Sequence, residues 1–219
     1  MSHKLILTEF ITLFFLLPLA VSLIPMPFYV VYMPMFAVFI YAVWWLFTRQ
    51  KMQWTVLWRS DDCESEKRQL KIILLRFVIC LPLIVVFVLV LYPEKLLDLP
   101  RQYPWFFLLF IVLYPVLSVL PQELLYRAFF FKRYRRLFES RTSLIMASAI
   151  SFAFLHIIFQ NYVAVLLTLP GGYFFAHTYH HTRSLMLVSF EHSLYGIAVF
   201  ALGLGGFFIR SLSEVGLIL

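Results

Sequence analysis

Only two of the eleven acidic residues, Glu123 and Glu191, fall inside long apolar stretches. Arg76, Arg127, His156, His177 and His192 share that setting. A charge or imidazole in hydrocarbon is costly, so each such group needs a partner, a cavity or a task. Glu123 and Arg127 stand four apart in Pro121-Gln122-Glu123-Leu124-Leu125-Tyr126-Arg127. That spacing shares one face of an α-helix and lets the two pair; simple neutralisation of two embedded charges is an equally open reading. Gln122 and Tyr126 form the adjoining stripe, and Pro121, lacking an N–H, frees a carbonyl in the turn before it. Phe152 precedes His156 by four residues, and Glu191-His192-Ser193-Leu194-Tyr195-Gly196 forms a third polar island. A carboxylate can take a proton from water and pass it to a leaving amine. A neutral imidazole can donate to the oxyanion of a tetrahedral intermediate. Glu123, His156 and His192 are also a zinc ligand set, with water in the fourth position, although the chain has no His-Glu-x-x-His sequence.

The elements that must hold these groups follow from composition. Of 219 residues 63% are hydrophobic and 13% charged, with a mean hydropathy of +0.89. Soluble domains average about 45–50% apolar and about 25% charged, so the expected fold is all-α, a polytopic transmembrane helical bundle forming one membrane domain over 1–219. Stretches of about 17–25 apolar residues cross a bilayer as helices. Seven occur: Phe10–Ile24, Met26–Phe47, Ile72–Tyr92, Pro104–Phe131, Ser143–Phe159, Tyr162–Tyr179 and Ser184–Ile209. The first is short and carries Pro18, which predicts a re-entrant segment or a merger with the second. Lys4, the apolar run and Ala20-Val21-Ser22 have the look of a signal peptide. Glu9 and the span that follows at once favour a retained helix.

With a cytoplasmic N-terminus, 13 of the 18 Lys and Arg lie inside and three outside. This is a positive-inside signal, reinforced by attraction to anionic lipid heads. The pI near 9.5 therefore reports topology, and no nucleic-acid partner is expected, since no binding motif accompanies it. The loop 48–71 reads as a cytoplasmic interfacial segment, its back half (Asp61 to Arg68) a solvated charge run. Lys132-Arg133-Tyr134-Arg135-Arg136 reads as a lipid-head anchor, and His177, His180 and His181 as interfacial residues at a cytoplasmic span end. Trp44, Trp45 and Trp105 read as belt residues. Cys63 lies in a loop and Cys80 in a span, so no disulfide is expected. All seven glycines lie beyond residue 170, which predicts tight helix contact or broken helix in the last two spans. At about 1.5 Å per residue, Glu123, His156 and His192 lie roughly 13, 20 and 12 Å from the cytoplasmic ends of their spans, one level in the inner half of the bilayer.

At these residues the sequence resembles the CAAX-prenyl-protease and bacteriocin-processing family of intramembrane proteases, the Rce1-like or Abi group. Its pattern is Glu-Glu-x-x-x-Arg, Phe-x-x-x-His and His-x-x-x-Asn on successive helices. This chain reads Gln122-Glu123-x-x-x-Arg127, Phe152-x-x-x-His156 and His192-x-x-x-Gly196, within a family-like catalytic core at 104–209. The resemblance implies a glutamate-activated water attacking a peptide bond, with Glu123 as base, Arg127 as its charge partner, and His156 and His192 serving the oxyanion or the water. It implies no cofactor, or zinc on Glu123, His156 and His192 under the older metalloprotease assignment. It also implies membrane lipids and a membrane-associated substrate, prenylated peptide or precursor, as partners, and a bacterial cytoplasmic membrane as the location. Two departures matter. Gln122 replaces the first Glu, as in a bacterial subgroup reading Pro-Gln-Glu-x-x-Tyr-Arg, and Gly196 replaces the Asn. Tyr195 or Tyr126 would then supply an O–H, and Glu191 is a second candidate acid. The same departures favour the alternative, a catalytically inactive binding or immunity protein on this fold. A proton-coupled carrier would need two repeated halves with broken helices, and no repeat is visible.

Overall fold

The computed structural model describes residues 2–24, 28–58 and 63–209. The start of the second expected span, the Asp61-Asp62 part of the charge run, the Cys63 side chain and Arg210 lie outside what it describes. Among the described residues every regular element is helical. In chain order these are α1 (His3–Leu23), α2 (Phe28–Trp44, continued by a π turn, Trp45–Arg49), α3 (Trp54–Trp58) and α4 (Cys63–Leu91). Then follow α5 (Asp98–Gln102), α6 (Pro104–Arg133), α7 (Arg141–Phe159), α8 (Tyr162–Thr182) and α9 (Leu185–Ala201).

Helix occurs at each of the seven expected positions. Four helices, α1, α4, α6 and α7, are long and apolar enough to cross a membrane, while Met33–Arg49 and α9 are shorter apolar helices. The sixth expected span is the 21-residue α8, which ends in His177, Tyr179, His180 and His181 and so dilutes its own hydropathy. Pro18 does not break the first span. A π turn, Thr12–Leu16, precedes it and α1 runs on through it. Pro34, Pro82 and Pro170 are likewise internal to helices, as membrane helices tolerate. Gly171-Gly172 does not break α8 either.

The chain packs as two compact units. The first comprises the described residues of Met1–Gln53, Leu124–His177 and Phe207–Leu219. Its core is aromatic. Phe10 and Phe14 of α1 meet Phe130 and Tyr134 at ring-centroid distances of 5.2 to 5.7 Å. Arg133 and the Tyr134 hydroxyl both donate to the Glu9 carboxylate, and the Arg133 guanidinium lies 5.0 Å over the Trp45 ring. Burial and the Glu9 charge push the Tyr134 hydroxyl above the ordinary phenol range, so it stays protonated and donates. Lys132 to Arg136 thus contains one residue, Arg133, whose charge is held inside the protein.

The second unit comprises the described residues of Trp54–Glu123 and Thr178–Gly206. Ile73, Val88, Val119, Val188 and Leu204 are fully buried within it. The outer faces of α4 and of the first half of α6 expose Leu75, Val78, Leu83, Val90, Trp105, Val112 and Leu117, each more than half accessible. Such a surface suits lipid and would aggregate in water. In the interfacial segment Leu57 is buried, and the Trp58 carbonyl accepts from the Ser184 hydroxyl that caps α9.

Candidate active site

α6 is wound irregularly around the candidate residue Glu123. A π turn, Pro115–Val119, is followed by one α turn, Leu120–Glu123, and by a second π turn, Leu124–Phe129. Turns of this kind add a residue to the helix and are frequent at functional sites. Pro121 sits between them. The carbonyl and hydroxyl of Ser118 both accept from the Gln122 amide, at 3.0 and 2.9 Å. Gln122 is therefore folded back along its own helix.

In the second unit Glu123, fully buried, meets His192 of α9: Nδ1 and Oε1 are 2.7 Å apart. The other ring nitrogen, Nε2, lies 3.4 Å from the hydroxyl of Tyr114 on α6. With Nδ1–H donated to the carboxylate, the neutral ring presents Nε2 as an acceptor, and the ring and carboxylate can exchange a proton across a short charge-assisted bond. Gly196, one turn after His192, faces the same Tyr114. A Cβ built there would stand 2.5 Å from Cζ of that ring, so only glycine leaves room for it.

The adjacent stripe of α9 faces α4. Glu191, fully buried, pairs with Arg76 at 3.4 Å. Tyr195 packs edge-on to Phe77 at 5.4 Å. Gln69 donates to Thr178 at 3.0 Å beside them. Glu191 is thus a fully buried acid with a guanidinium partner. Sequence reasoning missed that pairing, whose signal was the presence of Arg76 as a second embedded cation. It missed Tyr114 as well.

In the first unit Arg127 is fully buried. Its Nη1 donates to Ser148 Oγ at 2.8 Å and to the Tyr126 carbonyl at 3.2 Å, and Nη2 donates to the Gly172 carbonyl at 3.4 Å. The guanidinium lies 5.2 Å from the Phe152 ring centroid. The Tyr126 ring is clamped edge-on between Phe14 and Phe152. Gly172 is a tight contact point: a Cβ would stand 3.0 Å from the Phe152 ring and 3.1 Å from the Ala149 carbonyl. His156 lies where α7 tightens into its last 3₁₀ turn, with Nδ1 2.7 Å from the Phe152 carbonyl. Its ring contacts Phe159 and Phe208 at 5.7 and 5.8 Å. A carbonyl can only accept, so Nδ1 carries a proton and the neutral ring presents Nε2 as an acceptor.

Among the described residues no group of three His, Cys, Asp or Glu side chains is arranged to hold a metal ion. Within the second unit Glu123 and His192 supply two of the three protein donors that the zinc assignment needs. His180 and His181 touch edge to face at 5.3 Å, with His181 exposed. Cys80 forms no disulfide.

Comparison with known proteins bears on this arrangement. Residues 104–198 match the family model described as type II CAAX prenyl endopeptidase, Rce1-like. No curated protein and no solved structure matches the chain. The matched stretch contains Tyr114, Glu123, Arg127, Phe152, His156, His192 and Gly196.

Proposed function

We propose, on the match of residues 104–198 to the Rce1-like model of type II CAAX prenyl endopeptidases, that the chain hydrolyses a peptide bond of a membrane-associated substrate using the Glu123–His192 pair. The observation that carries the reading is the 2.7 Å contact between a fully buried carboxylate and an imidazole. Glu123 takes a proton from the attacking water, and His192 holds the carboxylate through Nδ1–H. The hydroxyl adds to the scissile carbonyl carbon, the C–N bond then breaks, and the proton passes to the leaving amine. By the resemblance, His156 is further assigned to the oxyanion or the water, and Arg127 to charge compensation. Their places in the family-like pattern support those roles. Gln122, turned onto Ser118, takes no proton in this scheme, and Glu191 is assigned to Arg76 rather than to catalysis.

The lipid-facing surfaces of α4 and α6 support substrate that is itself lipid-anchored, a prenylated peptide or a membrane-bound precursor. The distribution of Lys and Arg supports a cytoplasmic N-terminus, the apolar stretches support seven membrane spans, and the resemblance of Gln122-Glu123 to a bacterial subgroup supports a bacterial cytoplasmic membrane. The test is cleavage of a farnesylated C-terminal peptide by the purified full-length protein in lipid nanodiscs, followed by mass spectrometry. Cleavage that disappears in Glu123→Gln supports the peptidase. Binding of the peptide without cleavage by the wild type would replace it with the inactive binding-protein reading.

A further inference from the structure

Tyr114 stands out because the mechanism above does not use it, yet the helices are shaped around it. Its ring stacks on Phe110 at 4.7 Å and 25° and leans on Phe200 at 5.9 Å. It meets the His192 ring edge to face, 83° between planes. Across α9 the chain has no side chain at residue 196, and the hydroxyl end of Tyr114 fills that notch. An aromatic ring held on three sides has little rotational freedom, so its hydroxyl is aimed, and what it faces at 3.4 Å is His192 Nε2.

We infer that Tyr114 is a positioning residue for His192: its hydroxyl donates to Nε2, which keeps the ring proton on Nδ1, where it is donated to Glu123, and Gly196 is the notch that admits it. The logic is one of tautomers. Imidazole carries one proton in its neutral form, and the hydrogen bond at one nitrogen decides which nitrogen holds it. A donor at Nε2 and an acceptor at Nδ1 agree on one tautomer. Removing the donor leaves Nε2 able to carry the proton, and that tautomer has no N–H to offer Glu123. The carboxylate then loses the bond that orients it toward the reacting water. The assignment rests on the peptidase reading for its consequence in turnover, but the tautomer itself is a property of the resting protein.

The test uses full-length protein in nanodiscs with histidine labelled with ¹⁵N in the ring, the His192 signals being assigned by loss in His192→Gln. In the wild type the expected result is one tautomer, protonated at Nδ1, with Nε2 shifted by an accepted hydrogen bond. Tyr114→Phe keeps the ring and its stacking and removes only the hydroxyl. It should move the Nε2 signal, mix the tautomers and lower kcat about tenfold with KM nearly unchanged. Gly196→Ala should move the same Nε2 signal by displacing the ring, and the double variant should turn over no more slowly than the slower single one. Unchanged His192 signals and unchanged kcat in Tyr114→Phe would overturn the assignment. If the wild type cleaves nothing, the peptidase reading fails, and the ¹⁵N signals still decide whether Tyr114 sets the tautomer.

Discussion

The second unit holds two fully buried acids, Glu123 of α6 and Glu191 of α9, and their partners differ. Glu191 faces the guanidinium of Arg76, which never gives up its proton in a protein. Glu123 faces an imidazole, whose two ring nitrogens can donate and accept a proton in turn. The first pairing fixes charge and the second lets charge move. On the proposed reading an embedded carboxylate is read by its partner: Arg76–Glu191 joins α4 to α9, and Glu123–His192 is the pair assigned to chemistry.

Substitutions that exchange these properties break the comparison. Glu123→Gln preserves shape and removes the base, so kcat/KM should fall by about 10³ or more, measured by peptide cleavage at fixed protein concentration. His192→Ala leaves the carboxylate without its N–H donor and should cost about 10² in kcat, with the folded fraction checked by size-exclusion profile. The opposite pattern is expected at the other acid. Arg76→Met strands a buried carboxylate and should lower stability by about 3 kcal/mol, seen as a lower thermal midpoint in detergent. Turnover per folded molecule should stay within about twofold, since no reacting group changes. Adding Glu191→Leu to Arg76→Met should restore most of the lost stability, because a pair replaced on both sides leaves no uncompensated charge. Smallest is Glu9→Gln in the first unit, expected to lower the thermal midpoint by a few degrees at most, consistent with about 1 kcal/mol for a partly buried pair.

Much of the site was legible because residue type and depth are sequence properties. Glu123 and His192 stand out as ionisable groups in apolar runs, at similar distances from the span ends, and the structure brings these two together. The partner of Glu191 was not legible, because nothing local says that α4 lies beside α9. Tyr114 was hidden by helix phase. Nine residues of regular α-helix before Glu123 would place Tyr114 roughly 180° away, and the π turn between them adds a residue, returning it by about 100°. Gly196 reads in sequence as the loss of a side chain, whereas in space it is room for one from another helix. Pro18 misled because a proline can sit inside a membrane helix without ending it, as Pro82 and Pro170 do as well.

The most direct test of the central claim compares the two acids in one assay: single-turnover cleavage of a farnesylated C-terminal peptide in nanodiscs by wild type, Glu123→Gln and Glu191→Gln. The account predicts rapid cleavage by the wild type, near-wild-type rates per folded molecule for Glu191→Gln, and no product above background for Glu123→Gln. Cleavage by Glu123→Gln at the wild-type rate, or its abolition only in a correctly folded Glu191→Gln, would contradict it.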